Sequence, residues 1–488
     1  MTPASRTAAA EAAAHPSAAP QSPAAQSATP HTATQGAPHA APPPPPLSPA
    51  LRSFEALWLT RDSTRDSMQS DPLTALRQNA MQRVLRLGLP TTRDETWRYT
   101  NLRHLTSHGF VDAPAAAPGL LQPTASLSLV GVDELAATVL MVNGHPVLPD
   151  GIDAFFNGIE ISSLKGLSRT DPALVAAHLE PLSDADQSRW GLLNTALFVD
   201  GLYLKVTGKV KTPLVILHVS TAGAANQVAH PRVIIDAVPG SSAVIIEHHV
   251  EQGAHRPLCN SATQITTGRD AKLEHYRVFA TSGGAEHIDS LNLRLGGNSV
   301  CKEFTIVLGG GLVRTTLEAD LYQPGASLDA CSLLVGHEER HVDCVNIATH
   351  SARETRSRQT ARAIASGTSR VVFNSKVVVN AGAVHADSQQ SCRGLLLSTR
   401  AEIDTRPQLE IHADEVKCSH GATTGRLDPD MLFYMLSRGL DRDTAQSLLV
   451  YAFLADVLTG MSVPSARAAI EDALIRQLPD SQILKQFR

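Results

Sequence analysis

Residues 291–325 read LNLRLGGNSVCKEFTIVLGGGLVRTTLEADLYQPG. Successive side chains of an extended chain point to opposite sides, so Leu291, Leu293 and Leu295 share one face, with Asn292 and Arg294 on the other. Leu317, Ala319 and Leu321 repeat the pattern against Glu318 and Asp320, which read as a solvated strand face. Leu409 and Ile411 alternate in the same way with Gln408, Glu410 and His412. Further out, Gly240, Gly268, Gly296 and Gly325 recur about every 28 residues, and Gly382 falls near twice that step after Gly325. A period of this length marks stacked repeats, and strands with glycine turns and no helical pattern between them predict a β-solenoid over 126–425. A β-sandwich with long hairpins is the competing arrangement, but it gives no reason for the step.

Helical patterns flank this region. Over 51–125, Asp71-Pro72 reads as an N-cap with proline in the first turn; Leu73, Leu76, Ala80, Val84 and Leu87 then share a face until Gly88-Leu89-Pro90. Over 426–488, Asp428-Pro429 repeats the start signal, Gly439 suits a stop and Asp441 can cap a second helix with Ala445, Leu448, Leu449, Ala452 and Phe453 as its stripe. A third helix is expected from Pro464, with Ala466, Ala469, Ile470, Ala473 and Leu474 inward. Residues 1–50, rich in Ala, Pro, Ser and Thr, cannot bury enough apolar surface to fold and read as a disordered tail.

The 488 residues are 43% hydrophobic but only 4% aromatic, which suits many small aliphatic strands. The net charge of −5 and the lack of a Lys/Arg run argue against a nucleic-acid partner. No apolar run is long enough to span a bilayer, and the N-terminus has no secretory pattern, so neither a membrane nor export is expected. The six cysteines, Cys259, Cys301, Cys331, Cys344, Cys392 and Cys418, form no CxxC pair and read as reduced thiols of a cytoplasmic protein without a resident zinc ribbon or ferredoxin-type cluster. There is no GxxxxGK[ST] sequence, so any ATP chemistry belongs to a partner; GxSxG and GxGxxG are absent too. His337-Glu338-Glu339-Arg340-His341 matches HExxH, the zinc hydrolase signature, which needs both histidines on one helical face. Here it follows the strand-like Leu333-Leu334-Val335 and reads as a turn between coils.

Residues 409–425 read LEIHADEVKCSHGATTG. On a continuing strand Cys418 and His420 point the same way, and thiolate and imidazole both bind iron and its clusters. Two ligands are too few for a cluster, so the pair is either completed by another chain or is a buried thiol beside a structural histidine.

Residues 413–423, ADEVKCSHGAT, followed by Gly425, Leu427-Asp428 and 432–439, LFYMLSRG, resemble the SufB/SufD family of iron–sulfur cluster assembly proteins. The CSHGAT run is similar to the SufD branch; SufB chains carry an EHEAT-type run there. Residues 95–102, ETWRYTNL, resemble the family's EEWRYTN motif, with Thr96 replacing the second Glu. Gly367-Thr368-Ser369-Arg370 with Val372-Phe373 and Lys376, and Ala401-Glu402-Ile403-Asp404-Thr405-Arg406-Pro407, extend the likeness, with Ser375 and Arg406 as departures. The resemblance implies a mainly β fold, a right-handed parallel β-helix flanked by N- and C-terminal helical regions. It implies a non-enzymatic scaffold that pairs with SufB through the β-helix and docks the SufC ATPase on its C-terminal helices, with Leu432, Phe433, Tyr434, Arg438 and Phe453 as candidate contacts. His420, and with it Cys418, is then expected at the assembly interface, His420 as a transient ligand to iron or the nascent cluster beside a SufB cysteine; no cofactor is expected to bind tightly to this chain alone. A homodimer of the isolated chain is left open. A β-helix carbohydrate-active enzyme using Glu318 and Asp320, and a zinc hydrolase using His337 and His341, are the alternatives.

Overall fold

The alternating runs fold into two parallel sheets, and each repeat gives one strand to each. The computed structural model describes residues 47–65, 73–115, 137–148, 154–179, 188–221, 226–252, 257–281 and 284–477. Sheet one runs from Leu202–Val206 through Leu258–Thr267, Glu286–Leu295 and Leu312–Leu321 to Glu402–Ile411; sheet two runs from Leu214–Thr221 through Ser242–Gln252, Lys272–Phe279 and Val300–Val307 to Lys417–Gly425. Within each run every neighbouring pair is parallel, and the fold is a parallel β-helix. Leu291, Leu293, Leu295, Leu317, Ala319 and Leu321 face the interior between the sheets, where they join Ile245, Leu273 and Val377 in one apolar cluster. Stacking hides each strand's edges under the next coil, which is how a solenoid avoids open sheet edges along its length.

One corner of every coil is made by a residue in the left-handed region: Gly240, Asp270, Asn298, Gly325, Glu354, His385 and Glu415, with φ between 54° and 75°. The backbone N–H of each of the first six donates to a carbonyl one coil further on, as from Gly240 to Arg269 and from His385 to Glu415. Gly240 and Gly325 occupy this corner, but Gly268 and Gly296 sit two residues before it. At those two sites a Cβ would come within 2.6 Å of Pro239 and 2.5 Å of the Thr267 carbonyl. The glycine period is therefore a real repeat that mixes two positions, one set by backbone angle and one by close approach of the coil before.

Nine helices surround the coils among the described residues: α1 (Pro49–Arg65), α2 (Thr74–Leu87), α3 (Arg103–Thr106), α4 (Leu164–Thr170), α5 (Pro172–Leu179), α6 (Arg189–Leu197), α7 (Pro429–Ser437), α8 (Arg442–Leu458) and α9 (Pro464–Arg476). α4, α5 and α6 fall inside 126–425, a span read as strands throughout. α6 is buried from Trp190 to Leu197, and Asn194 donates to the carbonyls of Pro231 (2.8 Å) and Asn260 (2.7 Å). α1, α2 and α6 cover the outer face of sheet one at Val228, Leu258, Ile288 and Leu312. Asp71-Pro72 and the tail up to residue 46 lie outside the described residues. In α2 the expected face holds, with Ala80 and Val84 buried and Gly88 at φ 71° closing the helix.

α8 and α9 cover the outer face of sheet two at Tyr276, Phe304, Ile306, Leu333 and Val335. α9 buries the five residues expected of it. In α8 the buried face is Ala445, Val450, Leu454, Val457 and Leu458, while Ala452 is exposed. The stripe read from the sequence is rotated from the real one because the sheet beneath selects among several apolar rows. Asp428 and Asp441 cap α7 and α8, accepting from the backbone N–H of Asp430 (2.9 Å) and Thr444 (2.9 Å).

His350 closes an interior row at the end of strand His341–His350. It is fully buried, with Nδ1 2.7 Å from Thr355 Oγ1 and Nε2 2.8 Å from Ser357 Oγ. Burial pushes its pKa down from 6.5 to about 4, against a smaller upward pull from Asp387. The unfolded chain therefore takes up this proton first as pH falls, so the stability is present above about pH 6.5 and is lost toward pH 4. Between pH 7 and pH 5 the loss is expected to reach about 2 kcal/mol. Urea unfolding at both pH values should detect it, and His350→Gln should flatten the slope by that amount; an unchanged slope would refute this assignment.

Candidate functional site

The coil stack ends at Glu402–Ile411 and Lys417–Gly425. Each of these strands pairs with the preceding coil on one side and, among the described residues, has no strand on the other. Their residues are exposed or half-buried throughout, unlike the coils before them. In a parallel ladder alternate residues turn their N–H groups to opposite sides. Lys417 N–H donates back to Ala386, and Glu402 and His412 donate back to Ser369 and Val379. The N–H groups of Cys418, His420, Ala422 and Thr424, and of Ile403, Thr405, Leu409 and Ile411, therefore point out of the open end. Pro407 takes one of these outward positions, where its missing N–H costs the sheet nothing.

Cys418 and His420 lie in register with the buried Ser388 and Gln390, so they share the inward face of the last coil, at its rim. His420 is exposed and Cys418 is half-buried, packed against the interior apolar cluster as are Leu409, Ala413 and Val416. Burial pushes the Cys418 thiol up, the Ser388 backbone pulls it partly back and Asp387 adds to the rise. This thiol is not poised as a nucleophile. Behind His420 the same interior row continues through Gln390, Gln359, Ala330, Glu303 and His275.

The other expected site residues lie apart. α7 buries none of its residues, and Met431, Phe433 and Tyr434 are 59%, 71% and 58% exposed. Leu432 is half-buried and Arg438 donates to the Tyr434 hydroxyl at 3.0 Å. Phe453 instead leans on the core beneath α8, with the Arg362 guanidinium 5.9 Å from its ring. His337 and His341 flank a turn in which Glu338 is left-handed, as a coil corner requires. His337 contacts Ser366 Oγ (2.9 Å) and His341 contacts Thr100 Oγ1 (2.9 Å), so the HExxH residues are held by different neighbours and not on a helix. Glu318 is not solvated: it is 8% exposed, between Asn292 and Ile347 in the ladder.

The sequence reading passed over a polar interior in the middle coils. Glu247 lies 2.8 Å from His218 Nε2 and 3.0 Å from His275 Nε2 and accepts from Thr263 Oγ1 (2.8 Å). Arg277 reaches across to Asp289 on sheet one and bonds Glu303 Oε1 (3.0 Å) and Thr305 Oγ1 (2.6 Å) on the next coil. The signal available was the repeat itself: His275 and Glu303 lie one coil apart at an inward position.

The family model for the SUF system FeS cluster assembly, SufBD core domain, matches residues 218–453, and that for the SufBD protein N-terminal region matches 50–216. This chain belongs to the SufBD family. It is 29% identical over 409 residues to the iron–sulfur cluster assembly protein SufD of Escherichia coli, covering 82% of this chain and 92% of that protein. It is 27% identical to a SufBD-family iron–sulfur cluster assembly protein of Synechocystis (84% and 91% covered) and 24% identical to SufD of Bacillus subtilis (83% and 94%). In this SufBD chain the 95–102 motif straps the outer face of sheet one. The Trp97 ring lies 3.7 Å from the Arg314 guanidinium, Thr100 bonds Asp343, and Glu95 pairs with Arg406 on the last coil. The hydrogen bond and charge of Arg406 hold the Glu95 carboxyl below its usual range.

Proposed function

We propose that this chain is the SufD-type scaffold subunit of a SUF complex: its open coil end pairs with a SufB-type chain, and its C-terminal helices carry a SufC-type ATPase. The observation that carries this is the pair of unclosed terminal strands with His420 on their rim. Two parallel sheets that stop with their N–H and C=O groups unpaired form a template for another chain's strands. An iron–sulfur cluster takes about four ligands, and this rim offers His420 and, less readily, Cys418, so the partner must supply the rest. Iron and sulfide are cargo here, held only until the cluster leaves. The exposed Met431, Phe433 and Tyr434 of α7 support a docking face for the ATPase, since the chain lacks a P-loop of its own. Closure of two ATPase subunits would pull on the C-terminal helices of both scaffold chains and open the seam between them. The raised Cys418 thiol and the absence of a nucleophile motif support a scaffold and not a catalyst. No helix of the described residues is long and apolar enough to cross a membrane; a cytoplasmic setting is part of the proposal.

Co-expression with SufB- and SufC-type chains tests the reading. A stable complex is expected to co-purify, and His420→Ala should leave complex yield and unfolding midpoint unchanged while cutting cluster formation about tenfold, a change of about 1.4 kcal/mol in the effective assembly equilibrium. Failure to recover the complex rejects the pairing. Full cluster yield from His420→Ala rejects the ligand role.

A further inference from the structure

We propose that His249, Cys259 and His287 form an interior binding site for one thiophilic transition-metal ion of the Zn2+ type, tying sheet two to sheet one. It is separate from the open rim and does not depend on the assembly role. His249 comes from strand Ser242–Gln252 of sheet two, and Cys259 and His287 come from adjacent strands of sheet one. One ligand atom from each of the three lies within 4.8 Å of those of the other two. Bonds of about 2.0–2.3 Å to zinc place tetrahedral ligands roughly 3.5 Å apart, a change within reach of small ring rotations.

The second observation is the state of the imidazoles. His249 and His287 are each 1% exposed, and neither nitrogen of either ring has a hydrogen-bond partner. Buried polar groups are mostly paired, so two unpartnered imidazoles beside a buried thiol suit an occupant that takes one nitrogen from each ring. Their neighbours Glu247, Arg277 and Asp289 are all engaged. The set of two imidazoles and one thiol suits zinc and similar ions and not calcium or magnesium, which take oxygen ligands.

Binding breaks the Cys259 S–H bond and releases one proton as the thiolate–metal bond forms. The surroundings fit the ion in two respects. Glu247, also within 4.8 Å of His249 in a second cluster with His218, sets a carboxylate beside the ion; with the thiolate it balances two positive charges in a place that water does not reach. The His218 ring stacks on His249 at 4.3 Å and Phe279 on its other side at 4.7 Å, which fixes the plane of the ligating ring.

The test uses the full chain made in zinc-supplemented medium and purified without chelator, because a site this deep loads as the protein folds. Elemental analysis is expected to find about one zinc per chain, and X-ray absorption one sulfur among its neighbours. Cys259→Ser with His287→Gln should cut the bound zinc at least tenfold, whereas Cys418→Ser with His420→Ala should retain it. Zinc well below one per chain in the folded wild type overturns the proposal, as does a zinc shell without sulfur or full retention in the interior variant. Should that variant fail to fold by circular dichroism, the wild-type stoichiometry and absorption spectrum still decide.

Discussion

Arg277→Ala is expected to lower the unfolding free energy by about 3–5 kcal/mol, the largest effect of any single substitution considered. Arg277 is 1% exposed, and its guanidinium answers Asp289 and Glu303, themselves 1% and 0% exposed. Burial alone would lower its pKa, but the two carboxylates outweigh that and hold it above its ordinary value. Removing the cation leaves two carboxylates facing each other without water, and Ser261 (2.5 Å to Asp289) and Thr305 (2.7 Å to Glu303) cannot neutralise them. Urea unfolding at pH 7 measures the loss. Adding Glu303→Gln and Asp289→Asn to Arg277→Ala should restore more than half of it, because no charge then remains buried. A triple variant as unstable as the single one would mean that the network acts through packing alone.

The second large effect concerns the open rim. Ala422→Pro removes a backbone N–H that points away from the coil stack, at a place where the ladder to Asp387–Leu396 uses the neighbouring residues. Pro407 already occupies such a position on the other terminal strand, so the fold tolerates the substitution there. The free chain should unfold within about 1 kcal/mol of wild type, since an exposed edge proline removes no internal hydrogen bond. Affinity for a SufB-type chain should fall tenfold or more, from the lost bond and from the ring standing in the path of an incoming strand. Ser419→Pro is the contrast: its N–H faces the ladder, so it should weaken the fold. Unchanged affinity for Ala422→Pro would show that the partner does not pair with this strand.

The helix–strand–helix plan was legible because one-sided burial writes itself as period two. Leu291, Leu293 and Leu295 could be placed before any coordinate. The placing of Cys418 and His420 on one face followed from the same rule. The corners were less legible, since five of the seven left-handed residues are Asp, Asn, Glu or His and only two are glycine. In the first six, the residue's own N–H bond to the next coil, and not residue type, holds it there. The polar interior showed in the sequence only as a spacing, with His275 and Glu303 one coil apart. A histidine or arginine at an inward position reads as exposed until its partner on the opposite sheet is known, and Arg277 meets Asp289 only through the fold. His218, His249 and Phe279 align in a stack because the register steps are 31 and 30 residues, not a constant repeat. In α8 the stripe was misjudged because several apolar rows coexist and only the sheet beneath chooses between them.

The unclosed last coil makes the solitary chain an unfinished object. Two rows of amides and carbonyls that no described strand answers travel with it, and like rows on a second copy, or on any half-folded strand nearby, can answer them. The safe lifetime of a newly made copy is thus tied to how soon a mate arrives, so a cell that made this chain in excess would accumulate clumps or spend proteases on the surplus.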